Sequence, residues 1–343
     1  MQSPLWEKDS LIAWLLCENF SIYMKSPGHP ISIAEFERDV RAGLGKAGQK
    51  ELYSKYLYDD LGTALFEAIT LLPEYGLTRA DIRLLRAHGR ELPKRTSGLS
   101  VVVELGSGSG EKAREILPYI VAEQPLTYCP IDLSAAALVR CQRDLDDLRG
   151  LKTVPIEDSY VRGLASASKL RTHGTPIMVL FLGSSIGNFE PDVAENFLRS
   201  VREHLSSGDA FLISTDLVKA AEQMLAAYDD ALGLTGAFNL NLLARINREL
   251  GADFNLKKFR HEARYNANEQ RIEMHLRSAE RQTVSINHSF SIELQQGETI
   301  WTESSYKFLP EQIRAMAERA GFRCESQWID SDWPFAQSFL RAA

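Results

Sequence analysis

The sequence predicts an α/β fold in which a doubly wound, mostly parallel sheet carries helices on both faces, joined by a second domain. Between residues 99 and 218, continuous apolar segments of strand length alternate with amphipathic segments of helix length. Strands that are buried on both faces have this continuous apolar character. After residue 218 a long helical stretch is followed by segments typical of an antiparallel sheet. We therefore expect an α+β region inserted before the last elements of the parallel sheet.

Four segments are predicted as strands of the parallel sheet, and three amphipathic segments between them are predicted as helices. The strands are 99–106, 126–134, 176–185 and 210–218. The helices are 111–124, 135–150 and 191–209, the second of them closed by Gly150.

The inserted region is predicted to be helical over 220–254. Two strands are expected in 259–286 around the turn "NANEQ", and two more in 288–308 around "QQGE". A helix over 310–321 would end at Gly321. These elements predict a substrate-binding domain of residues 10–79 plus 218–306, and a cofactor-binding domain of residues 80–217 plus 307–343.

Composition and charge restrict the class of protein. The 343 residues are 44% hydrophobic and 25% charged, which is typical of globular chains with one large or two smaller domains. A net charge of -7 argues against a nucleic-acid partner. No apolar run reaches the roughly 18 residues of a membrane span. We expect a cytoplasmic protein that acts as a monomer, and no metal site, because Cys17, Cys129, Cys141 and Cys324 are scattered.

A glycine-rich turn follows the first predicted strand in "VVVELGSGSGEKAR". Gly106, Gly108 and Gly110 would let the backbone approach a ligand closely, in front of a helix N-terminus that favours negative groups. Asp132, about 20 residues further on, ends the next strand, where an acid can bind a ribose diol. A G-x-G-x-x-A pattern from Gly108 fits NAD. The acid Glu104 before the glycines instead resembles motif I of class I S-adenosylmethionine-dependent methyltransferases.

The predicted strand in "TIWTESSYKF" (299–308) is unusually polar. Glu303 and Ser305 would project from the same face of the strand, beside Trp301 and with Lys307 beyond them. Read alone, this pattern is typical of a solvated face near a hairpin turn.

Longer blocks of the sequence resemble the histidine-specific Nα-methyltransferases of ergothioneine biosynthesis, and together the likeness runs from about residue 35 to the C-terminus. The blocks are 56–81, 181–189, 215–254, 270–276 and 302–308. The resemblance implies a Rossmann-like class I methyltransferase with a second α+β substrate-binding domain built from the N-terminal region and an insertion. It also implies three methyl transfers from S-adenosyl-L-methionine to the α-amino nitrogen of L-histidine, giving hercynine.

The resemblance assigns roles to individual positions. Cofactor-binding roles are implied for Gly106, Lys112, Asp132, Asp158, Ser159 and Gly183. Tyr58 and Asn188 are implied to orient the reacting amine, and thus to be catalytic. Substrate-binding roles are implied for Tyr75, Asn188, Tyr228, Met274, Glu303 and Ser305, with the last two reading the side chain.

Two positions depart from the pattern expected of the family. Gly76 stands where an aromatic residue is often found, and Ser304 stands where an apolar residue is expected. Without the resemblance, the tyrosines and Met274 would be read as core residues and Asn188 as a turn residue.

Three alternatives remain from the sequence. The first is an N-methyltransferase of tryptophan or another indole amine, although indole has no acceptor nitrogen for Ser305. The second is a sensor that binds the cofactor, which would not need an amino-acid pocket. The third is an NAD-dependent oxidoreductase, for which the sequence offers no evident acid–base residue.

Overall fold

The computed structural model describes residues 32–172 and 174–343. In this part of the chain there are twelve α-helices: α1 (Ile33–Leu44), α2 (Asp60–Thr70), α3 (Gly76–His88), α4 (Leu92–Arg95), α5 (Glu111–Arg114), α6 (Leu117–Val121), α7 (Ala135–Leu145), α8 (Tyr160–Ala167), α9 (Pro191–Glu203), α10 (Ala221–Tyr228), α11 (Leu234–Leu250) and α12 (Pro310–Arg319). Among these same residues, no helix is both long and apolar enough to cross a membrane.

The described residues also form fourteen strands: β1 (Lys50–Glu51), β2 (Val101–Leu105), β3 (Leu126–Asp132), β4 (Leu151–Thr153), β5 (Ile156–Glu157), β6 (Ile177–Phe181), β7 (Ala210–Asp216), β8 (Phe259–Asn266), β9 (Arg271–Ser278), β10 (Gln282–Ile286), β11 (Phe290–Leu294), β12 (Thr299–Tyr306), β13 (Phe322–Asp330) and β14 (Phe335–Ala342).

The chain divides into two compact units, each made of separate segments. The large-sheet unit comprises Gly76–Ala220, Asn266–Ile272 and Ser304–Ala343. The insert unit comprises the described residues up to Tyr75, Ala221–Tyr265 and Glu273–Glu303. The domain boundaries expected from the sequence stay a prediction, since compactness does not show that either unit binds its ligand alone. Residues 10–31 of the predicted substrate-binding domain lie outside the described residues.

An eight-stranded sheet forms the centre of the large-sheet unit. Its strand order is β13-β14-β7-β6-β2-β3-β4, with β5 also paired to β3. All pairs among β2 to β7 are parallel, whereas β14 runs antiparallel to both β7 and β13. The order reverses at β2, because the chain first builds outward to β3 and β4 and later returns to β6 and β7. Ligands of such sheets bind beyond the carboxyl ends of the strands at this reversal.

Both faces of this sheet are covered by apolar side chains, as the continuous hydrophobicity of its strands predicts. On β2, Val101, Val103 and Leu105 join one core cluster, whereas Val102 joins another. Successive side chains of a strand point to opposite faces, so the two clusters lie on opposite sides of the sheet. The predicted doubly wound α/β class is therefore confirmed, and the inserted segment contains the antiparallel pair of β10 and β11.

The insert unit combines helices with two small sheets, in which β1 pairs with β12 in parallel and β10 pairs with β11 antiparallel. One sheet has the order β1-β12-β9-β8, and β10 and β11 form a separate two-stranded hairpin. The N-terminus of α2 is tied to α11 through Asp59, which accepts hydrogen bonds from Gly62 N (2.7 Å) and Asn241 Nδ2 (2.7 Å) and pairs with Arg248 Nη2 (2.6 Å). This buried carboxylate fixes the backbone directly after Tyr58.

Three predicted elements were wrong in detail. The helix expected over 111–124 is interrupted between α5 and α6, because Pro118 lacks an amide N–H and is tolerated only in the first turn of a helix. The helix expected over 135–150 ends at Leu145, before two aspartates that are unfavourable at a helix C-terminus. Residues 259–286 form three strands rather than two, since β10 pairs with β11.

Candidate active site

The glycine-rich turn lies at the reversal point of the large sheet, between the end of β2 and the start of α5. Gly106, Gly108 and Gly110 have φ values of +74°, +52° and +78°, which side chains rarely adopt. A Cβ at Gly110 would lie 2.6 Å from Cys141 Sγ, whereas a Cβ at Gly108 would have no neighbour within 4 Å. The turn is thus packed on one side and leaves its backbone open at Gly108, as a ligand cradle requires.

Asp132 ends β3 next to this turn. Its Oδ2 accepts a hydrogen bond from Gly108 N at 2.9 Å, and its Oδ1 accepts one from Ser134 N at 2.9 Å. Burial raises the pKa of Asp132, and these backbone donors oppose the shift. The helix-capping role belongs to Ser134, whose Oγ accepts from Ala137 N at 3.2 Å. Asp132 is therefore not a helix cap, and its position suits the predicted ribose contact.

Beneath the turn, Glu104 is buried on β2 and accepts a hydrogen bond from the hydroxyl of Tyr128. Burial raises the pKa of Glu104 to about 7. Cys141 Sγ lies 4.0 Å from the same hydroxyl. The acid that precedes the glycines thus supports the floor of the turn through a neighbour on β3.

Lys112 and Gly183, both predicted to bind the cofactor, lie together above a buried carboxylate. A Cβ at Gly183 would lie 2.5 Å from Lys112 Nζ, so glycine leaves the space that the lysine uses. Lys112 Nζ is 3.5 Å from Asp81 Oδ2, which also accepts from Gly183 N at 2.8 Å. Asp81 Oδ1 accepts from Ser214 Oγ (2.6 Å) and Gln337 Nε2 (2.6 Å).

Sequence reasoning did not identify Asp81 as a functional residue. It lies on α3, more than 100 residues from its partners on and after β6 and β7, and no motif spacing marks it. Its carboxylate joins α3, the segment after β6, β7 and β14 at one point, and it holds Lys112 beside the backbone of Gly183.

Asp158 and Ser159, predicted to bind the cofactor, follow β5, whose residue Glu157 pairs with Asp132 of β3. Ser159 is the N-cap residue of α8, and its backbone N–H donates to Asp158 Oδ1 at 2.7 Å. Asp158 also pairs with Arg162 at 3.3 Å. Both residues therefore lie two strands away from the glycine turn, across β3, at the same edge of the sheet.

Asn188 ends a short 3-10 helix, Ser185–Asn188, in the connection after β6. The preceding Gly187 allows a close approach, since a Cβ there would lie 2.8 Å from the carbonyl oxygen of Tyr306. The departure at Gly76 also has a packing reason, because a Cβ at this position would overlap the indole of Trp333.

In the insert unit, the three predicted tyrosines belong to one aromatic cluster. Tyr58 contacts Phe66 and Phe238 with ring centroids 5.6 and 5.5 Å apart. Tyr75 lies 6.1 Å from Phe66 and 6.2 Å from Tyr228. Sequence reasoning missed Phe66 and Phe238, whose helical spacing is typical of ordinary core residues. The cluster places several ring faces and hydroxyls in one region.

A partly buried histidine supports the backbone of this cluster. His261 Nε2 donates to the carbonyl oxygen of Tyr228 at 2.7 Å, and Asn239 Nδ2 donates to His261 Nδ1 at 3.0 Å. Burial lowers the pKa of His261, which favours the neutral ring that this pair of contacts needs. Tyr228 is therefore held from its main chain as well as by ring contacts.

The polar strand β12 is buried, so the solvated face that its pattern indicates when taken alone is not what the folded chain forms. Glu303 is 8% exposed and Ser305 is 5% exposed. On the adjoining strand, Met274 is buried, and its carbonyl oxygen accepts from Thr302 Oγ1 at 3.0 Å. The indole N–H of Trp301 donates to the carbonyl oxygen of Glu303 at 2.9 Å. Glu303 and Ser305 place a buried carboxylate and a buried hydroxyl on the same strand face, which makes them candidates for reading a polar ligand.

Comparison with known proteins identifies the family. A family described as "Histidine-specific methyltransferase, SAM-dependent" matches residues 36–342. The chain belongs to this family. The recognition made from the sequence is confirmed, and so are its enzyme class and its cofactor, S-adenosylmethionine.

Individual relatives agree with this assignment to different degrees. A histidine N-alpha-methyltransferase of Mycolicibacterium smegmatis is 40% identical over 304 residues, covering 88% of this chain and 93% of that protein. An L-tryptophan methyltransferase of Psilocybe serbica is 25% identical over 326 residues, covering 87% and 90%. A solved S-adenosylmethionine-dependent methyltransferase from Clostridium acetobutylicum has 10% identity and a TM-score of 0.45, covering 81% of this chain and 98% of its own, too distant to carry an argument.

The residues of the large-sheet unit fit the cofactor of the family. The turn leaves its backbone open at Gly108, and Asp132 offers a carboxylate to a diol. Lys112 is held by Asp81 beside Gly183. The individual contacts between these residues and the cofactor stay predictions, as do the substrate contacts of the tyrosines, Asn188, Met274, Glu303 and Ser305.

Proposed function

We propose that this methyltransferase trimethylates the α-amino nitrogen of L-histidine to give hercynine, as a step of ergothioneine biosynthesis. The observation that carries the substrate assignment is the burial of Glu303 and Ser305, two residues apart on β12. Residues two apart on a strand project from the same face, so this carboxylate and this hydroxyl point the same way. A polar substrate side chain that lies against this face can hydrogen-bond with both of them.

The imidazole of histidine matches this pair. Neutral imidazole carries one N–H donor and one bare acceptor nitrogen. A carboxylate at position 303 accepts from the first, and a hydroxyl at position 305 donates to the second. Met274, buried on the adjoining strand, supplies an apolar wall for the ring.

The reacting amine needs positioning more than acid–base chemistry. When bound, S-adenosylmethionine supplies an electrophilic methyl group. Transfer requires the nitrogen lone pair to point in line at the methyl carbon, and orientation of this kind provides much of the rate enhancement. Tyr58 and Asn188 orient the amine by hydrogen bonds, and its proton leaves to water before each transfer. Asn188 and Tyr228 hold the carboxylate of the substrate.

The aromatic cluster suits a substrate whose charge becomes permanent. Each methyl group removes an N–H donor, and the trimethylated product is a quaternary cation. Tyr58, Tyr75 and Tyr228 lie within one set of ring contacts. Aromatic faces bind such cations at about 0.5–2 kcal/mol each without needing an N–H.

The second candidate substrate is an indole amino acid, and the likeness to a tryptophan methyltransferase favours it. Indole has a donor for Glu303 but no acceptor for a donating Ser305. Histidine therefore makes one more side-chain hydrogen bond than indole, which contributes about 0.5–1.5 kcal/mol, so histidine fits better.

The test is to incubate the purified protein with labelled S-adenosylmethionine and a pool of amino acids, and to identify products by mass spectrometry. We expect trimethylated histidine as the main product and a higher kcat/KM for histidine than for tryptophan. Preference for tryptophan would overturn the histidine proposal in favour of the indole candidate. Label on a side-chain nitrogen of histidine would overturn the position of methylation.

A further inference from the structure

Lys307 is a fully buried lysine in the large-sheet unit, directly after β12. Its side chain is 0% exposed, and its Nζ lies 3.0 Å from Asp216 Oδ2. The same Nζ donates a hydrogen bond to Ser305 Oγ at 2.8 Å. Burying an ammonium costs several kcal/mol unless it is paired and hydrogen-bonded. Lys307 meets both conditions through Asp216 and Ser305, and the contact with Ser305 needs an explanation.

The backbone around Lys307 is held on both sides. Lys307 N donates to the carbonyl oxygen of Gln270 at 2.7 Å, and Phe308 N donates to that of Asp216 at 3.0 Å. Val218 N donates a hydrogen bond to the carbonyl oxygen of Phe308 at 3.0 Å. These backbone hydrogen bonds therefore hold the ammonium of Lys307 in one position beside the end of β7.

Asp216 is itself held in a fixed orientation. Its Oδ1 accepts from Lys219 Nζ at 2.6 Å and from Trp333 Nε1 at 2.9 Å. Its backbone N–H donates to Ser184 Oγ at 2.8 Å. The carboxylate thus presents Oδ2 to Lys307 in a defined geometry.

The contact with Lys307 determines what the hydroxyl of Ser305 can do. An ammonium has donors but no acceptor, so Ser305 Oγ accepts from it. The hydroxyl proton then has to point away from Lys307, and the hydroxyl acts as a donor toward its other neighbours.

We propose that Lys307 is a positioning residue that commits the hydroxyl of Ser305 to donate to the substrate side chain. This inference rests on the proposed function, in which Ser305 faces imidazole. The bound ring is then the neutral tautomer whose bare nitrogen faces Ser305. A ring that presents N–H there, such as imidazolium, meets a second donor and a nearby positive charge.

A purely structural role for Lys307 would be to neutralise Asp216, and the chain offers a matched control for it. Lys219 pairs with the same carboxylate and is equally buried. Its other contacts are the carbonyl oxygen of Leu217 at 2.6 Å and the ring of Trp333 at 4.9 Å. Loss of Lys219 therefore perturbs Asp216 without removing the contact that Lys307 makes with Ser305.

The experiment is a double-mutant cycle with Lys307→Met and Ser305→Ala. The readout is kcat/KM for histidine divided by kcat/KM for pyrrolylalanine. The two pyrrolylalanine isomers each keep one N–H of imidazole and replace the other nitrogen with carbon. We expect each single substitution to lower the ratio about tenfold, the effect of one hydrogen bond to a charged or polarised group. The double variant should equal Ser305→Ala, because Lys307 acts through Ser305.

Lys219→Met should give the same ratio as the parent, and Lys219→Met combined with Ser305→Ala should give the same ratio as Ser305→Ala alone. Cofactor binding measured by calorimetry checks that each variant is folded. If Lys307→Met does not fold, Lys307→Gln replaces it in the cycle. The amide of glutamine fills the space and can accept as well as donate, so the hydroxyl of Ser305 is no longer committed to donating to the substrate. We expect the same lowered ratio, and the same value in the double variant as in Ser305→Ala.

Additive effects, an unchanged ratio, or an equal loss in Lys219→Met would overturn the positioning role while leaving histidine as the substrate. Absence of histidine methylation in the parent enzyme would instead overturn the proposed function on which this inference rests.

Discussion

Replacing Asp132 with asparagine tests the assignment of the cofactor site. The change keeps the size of the side chain but removes its charge. In the structure both carboxylate oxygens accept backbone N–H groups at 2.9 Å, one from the glycine turn and one from Ser134. Asparagine keeps a single acceptor oxygen, so one of these donors loses its partner and the ribose diol loses its anionic acceptor.

The expected effect follows from those contacts. A hydrogen bond to a charged group contributes about 1.5–3 kcal/mol, which is roughly a 10- to 150-fold change in an equilibrium constant. We therefore expect Asp132→Asn to weaken binding of S-adenosylmethionine by this factor. Because burial raises the pKa of Asp132, affinity in the parent should also fall on acidification, starting above the ordinary titration range of an aspartate. The variant should lose this part of the pH dependence.

Isothermal titration calorimetry with S-adenosylhomocysteine measures the affinity without turnover. Ser134→Ala is the matched control, because it removes the hydroxyl that caps α7 but keeps the backbone N–H that Asp132 accepts. It should cost about 1 kcal/mol of stability and leave affinity nearly unchanged. Equal affinity in Asp132→Asn and the parent would refute the placement of the ribose, and so would an equal loss in Ser134→Ala.

Three further predictions concern the substrate side and the insert unit. Asn188→Ala should raise the KM for histidine and lower kcat together, because the amine is then poorly aimed; steady-state kinetics that match the parent would leave Asn188 as a turn residue. Glu303→Ala should sharply reduce kcat/KM for histidine and improve tryptophan relative to histidine, more so combined with Met274→Val; a substrate ratio that stays constant in both variants would show that Glu303 does not contact the side chain. Burial lowers the pKa of His261 from 6.5, so the unfolded chain takes up a proton that the folded chain resists, and stability should fall as pH drops below about 6.5. Denaturant titration should show this slope in the parent and less of it in His261→Gln; equal slopes would contradict the assignment.

Much of the large sheet could be predicted because its signal is local. Strands such as Val101–Leu105 and Ile177–Phe181 are buried on both faces, so all their residues except Glu104 are apolar and the pattern is visible without knowing their neighbours. The glycine turn was equally visible, since residues with positive φ are rarely anything but glycine. The long blocks that resemble the family are also a property of the sequence alone.

Local pattern failed where an element depended on distant partners. Taken alone, the strand Thr299–Tyr306 has the pattern of a solvated face because Glu303 and Ser305 are polar, yet both are buried in the folded chain. Only the resemblance to the family indicated a ligand role for them. Helix ends were also misplaced. Pro118 and the aspartates after Leu145 disfavour a helix only at certain positions along it, and the apolar periodicity of the sequence does not show this effect.

By itself, then, the sequence determined the class of fold, the cofactor turn, the family, and the residue types at each predicted contact. Only the tertiary structure showed that Asp81 joins α3 to three strand ends, that Phe66 and Phe238 complete the cluster of tyrosines, and that Lys307 pairs with Asp216 and Ser305. The physical reason is that a buried charge is stable only where partners from other elements surround it. Those partners are separated along the chain by tens to hundreds of residues, and it is the topology of the sheet that brings them within hydrogen-bonding distance.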